Sequence, residues 1–257
     1  MEERTQTPLQ RMFTSVVEKY DLLNRLLSLG LDELWRESCA KECASSGVLL
    51  DLCCGTGDLT LHISEHASPG AQVIGLDFSE VMLNKAVNKK AEAKGKKPTQ
   101  IRSKQAKIGV GTYNINFIHG DAAHLPFKNE CIDRIGISFS FRNLVYRNPI
   151  AKACVREVLR VLRPGGKFVC IETSQPRWFP LRTLYQLYLR KVVPLVGGLM
   201  SGCKNAYRHL GMSAANFPPA EEIAEMLLSA GFREASFKHM AFGVVAMHIC
   251  VKSAFTV

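Results

Sequence analysis

The sequence predicts an α/β fold with a mostly parallel sheet, and three observations predict it. A short apolar run, Val48-Leu49-Leu50, ends in Asp51 and passes through Leu52, Cys53 and Cys54 into Gly55-Thr56-Gly57 and a helix-forming segment. A second run, Val73-Ile74-Gly75-Leu76, ends in Asp77 about twenty residues later. Further on, short apolar runs alternate with segments of helical period, which calls for parallel strands joined by right-handed crossovers. Apolar runs without polar alternation suit strands covered on both faces.

The glycines permit a tight strand-to-helix turn and let the backbone approach a ligand. With an acid at that distance, they form the fingerprint of a Rossmann-like nucleoside site, the acid lying on the ribose. The motif alone leaves the ligand open. A dinucleotide site wants a third glycine where Thr60 stands. Asp51 and Asp58 make the turn acidic, which repels a pyrophosphate and suits the sulfonium and ammonium of S-adenosylmethionine. Charge therefore favours a methyltransferase over a dinucleotide enzyme.

In chain order, Leu9 to Ser28 carries Met12, Val16, Tyr20, Leu23 and Leu27 at helical spacing, and Gly30 stops it. Leu31 to Cys43 is a second helix, and residues 1–46 make a helical cap ahead of the first strand. A helix follows the glycine turn from Asp58 to about Glu65. After Asp77, Ser79 caps a helix with Met82, Leu83 and Ala86 on its apolar side. Residues 95–113 read as a basic loop, long enough to be an insertion. Strand three is Ile115 to Ile118, followed by His119-Gly120-Asp121-Ala122-Ala123, and strand four is Ile132 to Phe139. A helix from Ile150 to Leu162 is stopped by Pro164-Gly165-Gly166, which leads into strand five, Lys167 to Ile171. Residues 176–216 are aromatic and basic, with helical spacing broken at Pro194, and form a lid. The helix Ala220 to Ser229 precedes two closing strands near 235–240 and 244–251. Without an internal repeat, residues 1–257 are expected to form one domain.

Composition narrows the function classes. No run of eighteen apolar residues occurs, so no transmembrane helix is expected. The N-terminus lacks a signal pattern. The nine cysteines form no CxxC pair and read as free thiols, with no metal site expected. A cytoplasmic protein is expected from these features. The net charge of +10 is concentrated in Lys89 to Lys107 and in Arg177 to Arg208. The first stretch has no aromatic platform within it, so a solvated loop is expected rather than a nucleic-acid surface.

The assembled motifs resemble the class I S-adenosylmethionine methyltransferases and, within them, the ubiquinone/menaquinone biosynthesis C-methyltransferases. The resemblance runs through Phe13 to Asn24, Ser28-Leu29-Gly30, Leu34-Trp35-Arg36, Cys54 to Thr60, Leu125-Pro126-Phe127, Ile137 to Asn143, Glu157 to Gly166, Tyr207 to Leu210 and Ala241 to His248. It implies a seven-stranded, mostly parallel sheet with an antiparallel last hairpin. It also carries cofactor contacts onto Thr56, Asp77, Asp121, Ala122 and Ser138, beside Gly55, Gly57 and Asp51 of the turn. Asp77 suits ribose hydroxyls, although it could instead cap the next helix. Asp121 suits the adenine amino group, although Gly-Asp is also a common turn pair. Asp58 complements the helix dipole. Cys53 stands where many class I enzymes have glycine, and a tighter fit is expected there.

Methylating a ring carbon requires enolate character from an ionised hydroxyl and later removal of a proton. The candidates are Arg142, Asn143, Tyr20, Asp21, Tyr207 and His209. Arginine is a poor base, so Arg142 is expected to stabilise the phenolate or orient a water. His209 is expected as the base or as a lid residue paired with Asp21. The implied substrate, a prenylated quinol, lives in the bilayer. Trp178-Phe179-Pro180-Leu181, Leu184, Tyr185, Leu187, Tyr188 and Leu189, interspersed with Arg177, Arg182, Arg190 and Lys191, have the composition of an interfacial helix. The same stretch would equally serve a core or a homodimer surface. The expectation is a peripheral protein on the inner face of a membrane. The competing readings are an RNA or protein methyltransferase and a non-catalytic scaffold of a quinone-synthesis complex.

Overall fold

The computed structural model describes residues 17–95 and 114–254. The front of the expected first helix, Leu9 to Val16, and the bulk of the basic loop, residues 96–113, lie outside the described residues. Seven strands form one sheet: β1 (Val48–Leu52), β2 (Gln72–Asp77), β3 (Ile115–His119), β4 (Ile132–Ser138), β5 (Leu162–Thr173), β6 (Glu234–Met240) and β7 (Val245–Val251). Their order is β3-β2-β1-β4-β5-β7-β6. The first five are parallel, and β7 runs antiparallel to both β5 and β6. The order reverses between β1 and β4, the place where an α/β sheet opens a crevice at its carboxyl edge.

The helices are α1 (Tyr20–Leu27), α2 (Leu31–Cys43), α3 (Asp58–His66), α4 (Glu80–Gly95), α5 (Phe141–Val145), α6 (Ala151–Val161), α7 (Phe179–Leu187), α8 (Val193–Ser201), α9 (Lys204–Ala215) and α10 (Ala220–Ser229). Successive strand residues point to opposite faces. Leu50, Ile135 and Phe168 pack with Val158 of α6 and Leu227 of α10. Leu49 and Val169 pack with Cys39 and Cys43 of α2 and Leu59 and Ile63 of α3. Covering both faces explains why the strands read as uninterrupted apolar runs. Across the α2–α3 seam, His62 lies among Glu33, Glu37 and Glu65.

Two expected punctuation marks behave differently. Pro164-Gly165-Gly166 lies inside β5 rather than in a separate turn. The register steps from Ile132↔Leu162 to Arg134↔Lys167, so the extra residues form a bulge. The bulge is tied down on its outer side, where Lys252 N–H donates to the Gly166 carbonyl at 2.9 Å. Nor does Pro194 break the lid. A π-turn, Tyr188–Val192, joins α7 to α8 and widens the helix where the proline ring needs room.

The cap and lid, read separately from the sequence, share a core. Leu23 of α1 packs with Leu189, Val193, Tyr207 and Ala214. The Tyr188 hydroxyl donates to the Leu27 carbonyl at 2.6 Å, and Lys19 Nζ donates to the Met200 carbonyl at 2.7 Å. α8 and α9 approach closely because Gly197 has no side chain; a Cβ there would stand 2.2 Å from the Tyr207 ring. Among the described residues, no helix is long and apolar enough to cross a membrane.

Candidate active site

At the switch point lies an open cleft, at the place in an α/β sheet where small-molecule sites form. Its floor is the β1–α3 turn. Cys53, Gly55 and Gly57 have φ of 56°, 54° and 84°. A side chain at Gly57 would be strained by that φ, and its Cβ would come within 2.9 Å of Ala86. Cys53 adopts the left-handed region without being glycine, which costs on the order of 1 kcal/mol.

The Asp77 carboxylate organises the turn. Gly55 N–H donates to Oδ2 and Ser79 N–H to Oδ1, each at 2.8 Å. A carboxylate has about four acceptor positions, so two stay available toward the cleft. Both expected roles thus coincide, since Asp77 lines the cleft and also fixes the start of α4. Ser79 adds the side-chain cap, accepting from Met82 N–H at 3.4 Å. Burial pushes the Asp77 pKa above the usual carboxylate range, and the backbone donors oppose it.

Tyr20, Gly55, Thr56, Asp77, Ser138 and Asn143, all named from the sequence, line this cleft, which draws on the ends of β1, β2 and β4 together with α1 and α5. The other candidates lie elsewhere. Asp51 is buried behind the turn, where Thr60 Oγ1 donates to its Oδ2 at 2.6 Å. Burial pushes its pKa up to about 7, so it supplies less negative charge to the turn than its acidity in the sequence implied. Asp121 accepts from Ala123 N–H at 2.9 Å in a local turn, with Ala122 buried beside it; neither lines the cleft.

Asp21 is a latch. Thr56 Oγ1 donates to it at 2.6 Å, and Lys89 and Lys85 pair with it at 2.8 and 3.3 Å. Lys89 also pairs with Asp58, and Lys85 Nζ donates to the Val17 carbonyl. Burial raises the Asp21 pKa, but the Lys89 and Thr56 hydrogen bonds and the two lysine charges outweigh it and hold the carboxyl below its ordinary value. Lys89, counted in the sequence with the solvated basic stretch, thus fastens α1 to the glycine turn. These contacts correct the expected His209–Asp21 pair. The Asp21 carboxylate is already taken, and α9 turns His209 to the exposed side. Tyr207 goes the other way. It is buried, its hydroxyl has no hydrogen-bond partner among the described residues, and desolvation raises its pKa.

Arg142 is neither a surface arginine nor part of the cleft lining. Its guanidinium donates to Glu172 Oε1 at 2.8 Å, to Thr173 Oγ1 at 2.9 Å and to Ser213 Oγ at 3.2 Å. Its backbone N–H donates to Glu172 Oε2 at 3.0 Å. The network ties α5 to the end of β5 and to α9, directly behind the cleft residue Asn143. Sequence reasoning missed Arg36, Met82, Ser140 and Leu144 in the cleft wall. Arg36 was visible only inside the Leu34-Trp35-Arg36 resemblance. Among the described residues that line the cleft, it is the one lysine or arginine.

The donors and acceptors fit S-adenosylmethionine. A buried carboxylate faces the cleft at the end of β2, and a glycine turn with positive φ exposes backbone at the end of β1. The family model of the ubiE/COQ5 methyltransferase family matches residues 1–252. A demethylmenaquinone methyltransferase from Staphylococcus aureus (strain JH9) is 35% identical over 246 residues, covering 95% of this chain and 92% of that protein. A SAM-dependent methyltransferase structure from Aquifex aeolicus superposes with a TM-score of 0.56 at 16% identity, covering 90% of this chain and 97% of that one. A possible histamine N-methyltransferase from Thermotoga maritima gives a TM-score of 0.60 at 17% identity, covering 95% and 100%. These two structures show the shared fold alone. The chain belongs to the ubiE/COQ5 methyltransferase family and is an S-adenosylmethionine-dependent methyltransferase.

Proposed function

We propose that the methyl acceptor is a ring carbon of a prenylated quinol lacking that methyl, of the demethylmenaquinol type. The observation that carries this reading is the 35% identity, over 95% of the chain, to a demethylmenaquinone methyltransferase. When bound, S-adenosylmethionine supplies an electrophilic methyl group on a sulfonium. The chain's residues divide the remaining work. Asp77 accepts from the ribose hydroxyls, and the Gly55–Gly57 backbone borders the methionine end. Asp121 and the Ala122 amide, past the end of β3 and outside the lined cleft, are assigned the adenine edge on the family resemblance alone. Ser138, at the end of β4, marks the reacting end of the cleft.

The acceptor ring must be ionised at a hydroxyl to be nucleophilic at carbon, and its displaced proton must leave. Tyr20 and Asn143 line the cleft and are positioned to hydrogen-bond that hydroxyl. Neither serves as the base expected of His209, because an amide is not basic and burial raises the Tyr20 pKa, so the ring proton passes to water in the open cleft. Arg142 acts as a positioning residue, holding α5 and therefore Asn143 through Glu172 and Ser213. Incubation with labelled cofactor and a demethylated naphthoquinol, a benzoquinol or RNA tests the reading. Label on the quinol ring carbon is expected; label on RNA or on protein alone would overturn it.

We also infer that the protein meets its substrate at a membrane surface. Trp178, Phe179, Leu184 and Leu187 are exposed along α7, and Arg177, Arg182, Arg190 and Lys191 flank them. Phe242 is 91% exposed on a loop whose neighbour Gly243 packs against Pro176, next to the start of α7. Exposed aromatics beside cations suit an anionic interface. Sedimentation with anionic liposomes that weakens with salt supports this reading. No binding at low salt, or a stable dimer that covers α7, refutes it.

A further inference from the structure

The methionine end of S-adenosylmethionine carries a carboxylate as well as two cationic groups, and an acidic turn offers that anion nothing. Lys85 and Lys89, the lysines nearest the turn, are spent on Asp21 and Asp58. Arg36 is different. It is 6% exposed, it reaches the cleft from α2, and its guanidinium stacks on Phe139 at 5.6 Å. Among the described residues, Asp32 is its one hydrogen-bonding partner, held through Nη1 alone. A guanidinium has five N–H donors in a rigid fork, so most of this buried fork is unengaged. These nitrogens are not among the buried atoms that lack a partner, so they open onto the cleft that Arg36 lines. The unengaged donors therefore await an anion that enters the cleft.

We propose that Arg36 is the anchor for the carboxylate at the methionine end of the cofactor. Its place fits. Asp77 marks the ribose position at the end of β2, and Arg36 shares the cleft wall with Thr56, Asp58 and Leu59 at the start of α3, where the amino-acid end belongs. Asp32 holds one edge of the fork and sets its orientation, and Ser28 Oγ in turn donates to Asp32 Oδ1 at 2.7 Å. The anchor is therefore built by the N-terminal cap, so the cap forms part of the cofactor site. The inference rests on the cofactor assignment and is independent of the acceptor.

The test is calorimetric, with the full chain and no acceptor present. The ligands are S-adenosylhomocysteine, which keeps the carboxylate, and 5′-methylthioadenosine, which lacks the amino-acid end. In Arg36→Gln, S-adenosylhomocysteine should bind about ten- to a hundredfold more weakly, the loss expected for a charged hydrogen bond. Methylthioadenosine should bind as it does to the wild type. Arg36→Lys, which keeps the charge and tests the assignment if the glutamine variant does not fold, should weaken only the homocysteine ligand, and by less. Equal weakening of both ligands would make Arg36 a structural residue and overturn the proposal. Unchanged binding of both would overturn it as well. Failure of the wild type to bind either ligand would instead overturn the cofactor site, and the anchor with it.

Discussion

Replacing Glu172 by glutamine should destabilise the protein more than any other single change behind the cleft. Glu172 and Arg142 have side chains 1% and 3% exposed and are paired at 2.8 Å. Glutamine keeps the size and an acceptor for the Arg142 or Thr173 backbone N–H, so the change removes mainly the charge. Arg142 is then left with a buried charge, facing only the hydroxyls of Thr173 and Ser213. Breaking a buried pair from one side costs about 3–5 kcal/mol. Total stabilities run to about 5–15 kcal/mol, so this is a large share. For a chain of this size each kcal/mol moves the melting midpoint by about 2–4 °C, which predicts a fall of about 6–20 °C. Urea unfolding followed by circular dichroism measures it. The double variant Arg142→Met, Glu172→Gln removes both charges and should recover at least half of the loss. A loss under about 1 kcal/mol in the single variant, or a double variant less stable than the single, would refute the reasoning.

Three further outcomes follow from the same kind of argument. Asp51 has a folded pKa raised by burial to about 7, so the folded state holds a proton that the unfolded chain has already lost. Its contribution therefore falls as pH rises from about 4 to 7 and is flat above that, and Asp51→Asn should remove that slope from a stability–pH profile. His62 shows the same sign in a higher pH window and from a different cause. Burial lowers its pKa, but Glu33, Glu65 and Glu37 outweigh that and raise it. Its stabilisation is complete below about pH 6.5 and is lost as pH rises through the folded value, so His62→Gln should flatten stability between those limits. Gly197→Ala places a Cβ 2.2 Å from the Tyr207 ring. It should cost about 1–3 kcal/mol by overpacking and should loosen α1 through the shared core, detectable as faster amide exchange at Leu23.

The sheet was legible because its signals are local. Five parallel strands covered on both faces leave near-continuous apolar runs, and the glycine turn with Asp77 at the next strand end has one main structural use. The cleft residues at strand ends, Asp77 and Ser138, were legible for the same reason. Roles that depend on a distant partner were not. Nothing near Arg142 in sequence announces Glu172, thirty residues on. His209 and Tyr207 are two residues apart on α9, so they project to different sides of the helix, and only the packing of α9 on α8 decides which is buried. Lys89 looked solvated because the carboxylates it serves belong to other elements. Pro164 and Pro194 misled for a related reason. Proline marks a lost hydrogen bond, but a bulge on β5 and a π-turn in the lid each absorb that loss without ending the element.

The shared core of cap and lid has a consequence for the order in which the protein is made. Lys19 bonds to a carbonyl 181 residues later and Tyr188 to one 161 residues earlier. At about 5–20 residues per second, α1 waits about 10–35 s on the ribosome before its last partner has been synthesised. During that interval the glycine turn and β2 already exist, whereas Tyr20 and the apolar face of α1 have no lid to pack against. By the time the lid begins, the nascent chain holds the five parallel strands, with an unsheltered amphipathic helix at its front. Any chaperone that handles this protein during synthesis meets its first helix unsettled until the lid has been made.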